Sequence, residues 1–149
     1  MDMILALFPD YKGKITPFGY DWLGRFFCLD SERSQNKQPL ILLFIPYSDQ
    51  VLEIPASFIG FHNIVLTTQA EPATEANLFR QFLAFNKITD IAINQCADLK
   101  VPLYLGGKLT VENLNIMDLS LYWELMAQIA LQTRDLATGA SVNNFKIVQ

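Results

Sequence analysis

The sequence predicts an α+β protein, an N-terminal antiparallel β-meander packed by helices from the C-terminal half. Three observations predict it. Short apolar runs bounded by turn residues crowd the first 55 positions. The connections between them are too short for the crossovers that parallel strands need. From Pro55 onward apolar side chains recur at steps of three and four, the period of a helix.

Taken in order, "WLGRFFCLD" (22–30) is an aromatic-rich strand. It closes on "DSERSQNKQP" (30–39), polar throughout and expected to be a surface loop. "LILLFIPY" (40–47) is continuously apolar and too short for a typical helix, so it reads as a buried strand. "SDQ" turns the chain into a third strand, "VLEIP" (51–55), with Glu53 on the face opposite Leu52 and Ile54. In "PASFIGFHNIVL", Pro55 and Ser57 are helix-start residues, and Phe58, Phe61, Ile64 and Val65 share a face. A second start follows at Thr74, expected as N-cap, with Glu75 complementing the helix dipole and a stripe of Leu78, Phe79, Phe82 and Phe85. "VPLYLGG" (101–107) is expected as a strand ending in a tight turn, and "TVENL" as a helical turn capped by Thr110. The last helix runs from about Leu119 to Gln132 behind Asp118 as N-cap, and Leu119, Tyr122, Trp123, Met126, Ile129 and Ala130 form its apolar face. Beyond it stand a glycine stop at Gly139 and a β-prone "FKIV".

No repeat, low-complexity tract or linker interrupts the 149 residues, which are expected to form a single domain, 1–149. A chain of this length buries roughly 68–70% of its unfolded surface, and with eleven Phe its core is bulky. The net charge of −4 and the absence of Lys/Arg runs argue against nucleic acid as a partner. The longest charge-free run, 54–70, carries Pro55, His62 and Asn63 and does not read as a membrane span. The opening "MDMILALFPDYKGK" lacks the basic start of a signal peptide, so a cytoplasmic location is expected. Cys28 and Cys96 have no companion spacing and read as small buried apolar side chains.

Motifs for chemistry are sparse. "YLGGKLT" has a Gly-Lys pair but lacks the earlier glycine of a phosphate loop, and Leu109 stands where a hydroxyl would hold magnesium. Gly106 and Gly107 are therefore expected to supply turn geometry. His62 is the one histidine, with no second imidazole to share a metal, and no calcium-loop spacing occurs. No nucleophile motif is present. The expectations are no catalytic residue, no metal and no cofactor. "FGYDWLGR" (18–25) leaves two readings open: a turn leading into a strand, with Trp22 over the core and Asp21 paired with Arg25, or an interface hot spot built on Asp21 and Trp22.

Three segments, "FGYDWLGRFFCLD", "VLEIPASFIGFHN" and "CADLKVPLYLGGKLTVENLNIMDLSLYWELMAQI", together resemble type VI secretion immunity proteins with the immunity-type C-terminal domain. The resemblance implies an α+β fold with a curved sheet, a link to the SUKH superfamily, and Gly106, Gly107 and Trp123 as structural signature. It also implies a non-enzymatic protein that binds and neutralises a cognate toxin, often a nuclease. Members commonly carry more acids before the glycine pair, where this chain reads "QCADLK". Because a nuclease cleft is basic, the acids Asp30, Glu32, Asp49, Glu53, Glu71 and Glu75 are candidate contacts. The alternative is a housekeeping adaptor of the same fold with no toxin partner. The abundance of aromatics is also compatible with a homodimer.

Overall fold

The structure, a computed structural model, describes residues 1–134 and residue 136. The expected stop at Gly139 and the "FKIV" segment lie outside the described residues. The described part opens with a short helix, α1 (Asp2–Leu7), that the sequence reading did not anticipate. Its Ile4 and Leu7 are buried against the last helix.

The meander has four strands, not three: β1 (Ile15–Tyr20), β2 (Phe26–Gln35), β3 (Gln38–Ile45) and β4 (Gln50–Ser57), hydrogen-bonded in chain order and antiparallel. β1 hides from a pattern search because Pro17 and Gly19 interrupt it. Both are tolerated at a sheet edge, where the register slips between them. The expected loop at 30–39 is mostly strand. β2 runs on to Gln35, and the chain reverses at Asn36 and Lys37, whose positive φ values of 53° and 62° suit a two-residue hairpin. Polar residues can stay in that strand because Arg33 donates to Asp30 at 2.6 Å and to Glu53 at 2.8 Å.

Helices follow β4. Residues 58–68, α2, begin behind Ser57, whose hydroxyl accepts from the Gly60 amide at 3.2 Å. They include a π turn over Phe61–Val65. Of the expected face only Phe61 is buried, while Phe58 and Ile64 are exposed. Next come α3 (Ala70–Thr74) and α4 (Ala76–Asn86). Thr74 is not an N-cap. It ends α3, and its hydroxyl donates back to the Ala70 carbonyl at 2.7 Å. The break falls one residue later, at Glu75, which is left-handed with φ 55°.

Residues 101–107 are not a strand. The strand lies just before them, β5 (Gln95–Leu99), pairing with β6 (Leu114–Asp118). "CADL" is fully buried, and the acid at its centre conceals the apolar run. Pro102, which has no N–H to give a ladder, is followed by one 3-10 turn, Leu103–Leu105. The helical turn Val111–Asn113 is present, although no side chain caps it. The last helix, α5 (Leu119–Thr133), begins as expected, with Asp118 Oδ1 accepting from the amides of Ser120 and Leu121.

Both faces of the sheet carry aromatics. On one, Phe26 meets Trp123 of α5 at 5.3 Å between ring centres and Phe44 meets Phe8 at 5.2 Å. On the other, Phe27 meets Phe61 of α2 at 4.9 Å. Side chains at alternate positions of β2 thus bury into opposite layers. The outcome is the expected α+β class.

A groove between sheet and helices

The chain from Asp21 to Arg25 is a tight loop between β1 and β2. Its backbone bonds to itself, Asp21 N to Arg25 O at 3.1 Å and Gly24 N to Asp21 O at 2.9 Å. Gly24 sits at φ 72°, and a β-carbon there would press on Cys96 Sγ at 3.0 Å, so only glycine closes the loop. Asp21 organises it from within. One carboxylate oxygen accepts from the amides of Leu23 and Arg25, and the other takes the Arg25 guanidinium at 2.5–2.7 Å. Burial pushes the Asp21 carboxyl up, and the charge and hydrogen bonds of Arg25 pull against it.

The same loop holds the rest of the chain. Arg25 donates to Ala73 O at 3.0 Å, Trp22 Nε1 to Thr74 O at 2.7 Å, Ala97 N to Trp22 O at 2.7 Å, and Trp123 Nε1 to Gly24 O at 2.8 Å. Trp22 also packs on Phe79 and Phe82 of α4. Asp21 and Trp22 are therefore where the turn reading places them, committed to internal contacts. The alternative, an interface hot spot, has little of Asp21 to offer, its side chain being 7% exposed.

Beside this loop lies a groove of about 400 Å³ between β3–β4, the 65–75 segment and the loop that carries the glycine pair. Its size falls within the range of small-ligand pockets. Leu52 and Ile54 form one wall, and Val65, Leu103 and Leu109 the other. Polar residues sit among them: buried Arg25 and Tyr47, then Ser48, Glu53 and Glu75. Burial pushes the Tyr47 hydroxyl up to about 12. The Ser48 hydroxyl oxygen is buried with no hydrogen-bond partner.

The glycine pair shapes the far wall. Gly106 adopts φ 86°, and a β-carbon on Gly107 would fall 1.8 Å from Val101 O. Both amides are used internally, Gly106 N donating to Leu103 O and Gly107 N to Pro102 O, each at 3.0 Å. Turn geometry, not phosphate capture, is their work. Asn113 staples the same loop, donating to Val101 O and Lys108 O at 2.9 Å and accepting from Val101 N. Leu103 N donates to Tyr47 O at 2.8 Å and ties the loop to the sheet.

The candidate acids are scattered. Glu53 and Glu75 come together on the groove. Asp30 is buried, accepting from Glu32 N and Arg33, while Glu32 is exposed 3.5 Å from Lys14. Asp49, at the tip between β3 and β4 with φ 51°, lines a separate hollow with Asp10 and Arg134. Glu71 accepts from Asn77 N at 2.7 Å, which spends it on the α3–α4 break. Tyr47, Ser48 and Arg25 escaped the sequence reading as groove residues. The signal for the first two is a polar pair directly after a strand-ending proline.

Burial pushes both Cys28 and Cys96 thiols up to about 12, far from the thiolate a nucleophile needs. Among the described residues no group of three or more His, Cys, Asp or Glu could hold a metal ion. No helix of the described residues is long and apolar enough to cross a membrane. Fold and groove together define an α+β scaffold with one face of its sheet left partly uncovered. Residues 65–130, the stretch that supplies the groove's far wall and α5, match the family model described as "T6SS immunity protein Tdi1, C-terminal", and the match supports a type VI secretion immunity protein family. No curated protein matches the chain.

Proposed function

We propose that the protein is an immunity protein that neutralises a cognate secreted toxin by stoichiometric binding, in the cytoplasm of the cell that makes it, without catalysis of its own. The observation that carries this is the family match over residues 65–130. Two features support it. Burial pushes both thiols up to about 12, and the one histidine is tied to its own helix, against the Phe58 ring with its Nδ1 2.8 Å from Phe58 O. The groove offers apolar walls with carboxylates beside them, a composition suited to gripping a protein surface.

A nuclease is the toxin class that best suits the acidic groups, because a cleft that binds nucleic acid is basic and acids complement it. We also take residues 1–149 to act as one domain, since the 21–25 loop bonds to residues on both sides of α4 and to α5. The test is co-expression with the product of the adjacent gene. Growth rescued from that product, together with a one-to-one complex on purification, is the expected result. Failure of both rescue and co-purification would overturn the proposal in favour of an adaptor with no toxin.

A further inference from the structure

Resting on the immunity reading, we propose that the groove is a socket for a single basic side chain, lysine or arginine, presented by the partner protein, with Glu75 as its anionic anchor. The groove's charges decide the sign. Arg25 is neutralised by Asp21 at 2.5 Å, and Glu53 is shared with Arg33 at 2.8 Å. Glu75 feels the Arg25 charge across the groove, but among the described residues no group donates a hydrogen bond to its carboxylate, whose acceptor sites stay open on the groove.

The walls decide the shape. Lysine and arginine lay their methylene stems along apolar surface and keep the charged head for a polar partner, and Leu52, Ile54 and Leu109 supply such a surface. Ser48 lies in the same lining, and its buried hydroxyl finds no partner among the described residues. Such a group is costly unless something supplies the missing bond. A left-handed φ of 55° is unfavourable for glutamate, and glycine or asparagine would be the relaxed choice there.

The test does not require the toxin. The labelled protein is titrated with n-butylguanidinium, a stand-in for an arginine side chain, and with n-butylurea, its neutral near-isostere, while amide shifts are followed by NMR. The expected result is saturable shifts at Ser48, Leu52 and Glu75, with dissociation roughly in the millimolar range for so small a ligand. They should be absent with n-butylurea and lost in Glu75→Gln. Because no described residue donates to the carboxylate and Arg25 keeps its direct pair with Asp21, Glu75→Gln is expected to melt close to wild type. Glu75→Gly, at ease at this φ, serves as a second folded variant that should also lose the shifts. Against the co-purifying toxin, Glu75→Gln should weaken binding about tenfold or more and flatten its salt dependence. Equal response to the urea, shifts elsewhere, or shifts unchanged by both variants would overturn the socket. A toxin that fails to bind wild-type protein overturns the immunity reading instead, and the fragment titration still decides the socket.

Discussion

The 21–25 loop and the neighbouring groove are built from similar side chains and use them in opposite ways. In the loop, Asp21 meets two amides and a guanidinium, and Arg25 meets Asp21 and Ala73. In the groove, among the described residues, the buried Ser48 hydroxyl has no partner and no group donates to the Glu75 carboxylate. A polar group whose bonds are all met inside the protein contributes to holding it together. One whose bonds are unmet costs the fold free energy, and that cost is recovered if another molecule supplies the bond. The difference separates architecture from function more cleanly than residue type does, since an acid stands at the centre of each.

The comparison can be broken most forcefully at Asp21. Asp21→Ala leaves the Arg25 charge buried and unpaired, for which a loss of about 3–5 kcal/mol of stability is expected by denaturant unfolding. A loss under about 1 kcal/mol would mean that the loop is not the clamp its bonds describe. Next is the groove's far wall. Gly107→Ala drives a methyl group into the Val101 carbonyl and should cost about 3 kcal/mol. It should also weaken n-butylguanidinium binding, because Leu103 and Leu109 ride on the same loop. Full stability in this variant, read as an unchanged melting temperature, would show the turn to be looser than drawn.

Asp98 sharpens the contrast, because it stands between the two cases. It is only 4% exposed, and its Oδ1 has no partner. Burial pushes its carboxyl above the ordinary 3.8, with its own amide and Lys100 opposing. The folded state therefore binds a proton that the unfolded state has released. Stability from this group is fully present below the ordinary carboxylate value and is lost as the pH rises through the raised one. Asp98→Asn should remove that loss and be more stable than wild type at neutral pH, with the gap closing toward acid. Unfolding in urea at several pH values measures it, and a gap that widens in acid would show the carboxylate to be stabilised in the fold.

Much of the architecture could be read from side-chain pattern, and the failures share a cause. β3 and α5 are legible because every turn of their pattern is apolar on the buried side and Asp118 is a strong cap. β1 and the far half of β2 are not, since Pro17, Gly19 and the run from Ser31 to Gln35 look like loop until cross-strand partners such as Arg33 and Glu53 are known. The strand expected at 101–105 lies a few residues earlier because Pro102 cannot join a ladder and Asp98 masks the true strand. The glycine pair was legible as geometry, since its spacing fails a phosphate loop and the structure spends both amides internally. The groove was not. Residues 25, 47, 53, 75 and 109 share no period, and only the tertiary fold gathers them.

The bond from the Trp123 indole to the Gly24 carbonyl spans 99 positions of sequence. During synthesis, then, Phe26 and Phe44 leave the ribosome long before the helix that will cover them. For most of translation the nascent sheet presents a greasy, unpaired surface to everything nearby. A molecule of this design is most vulnerable to aggregation while it is being made, before its last helix can close over the sheet.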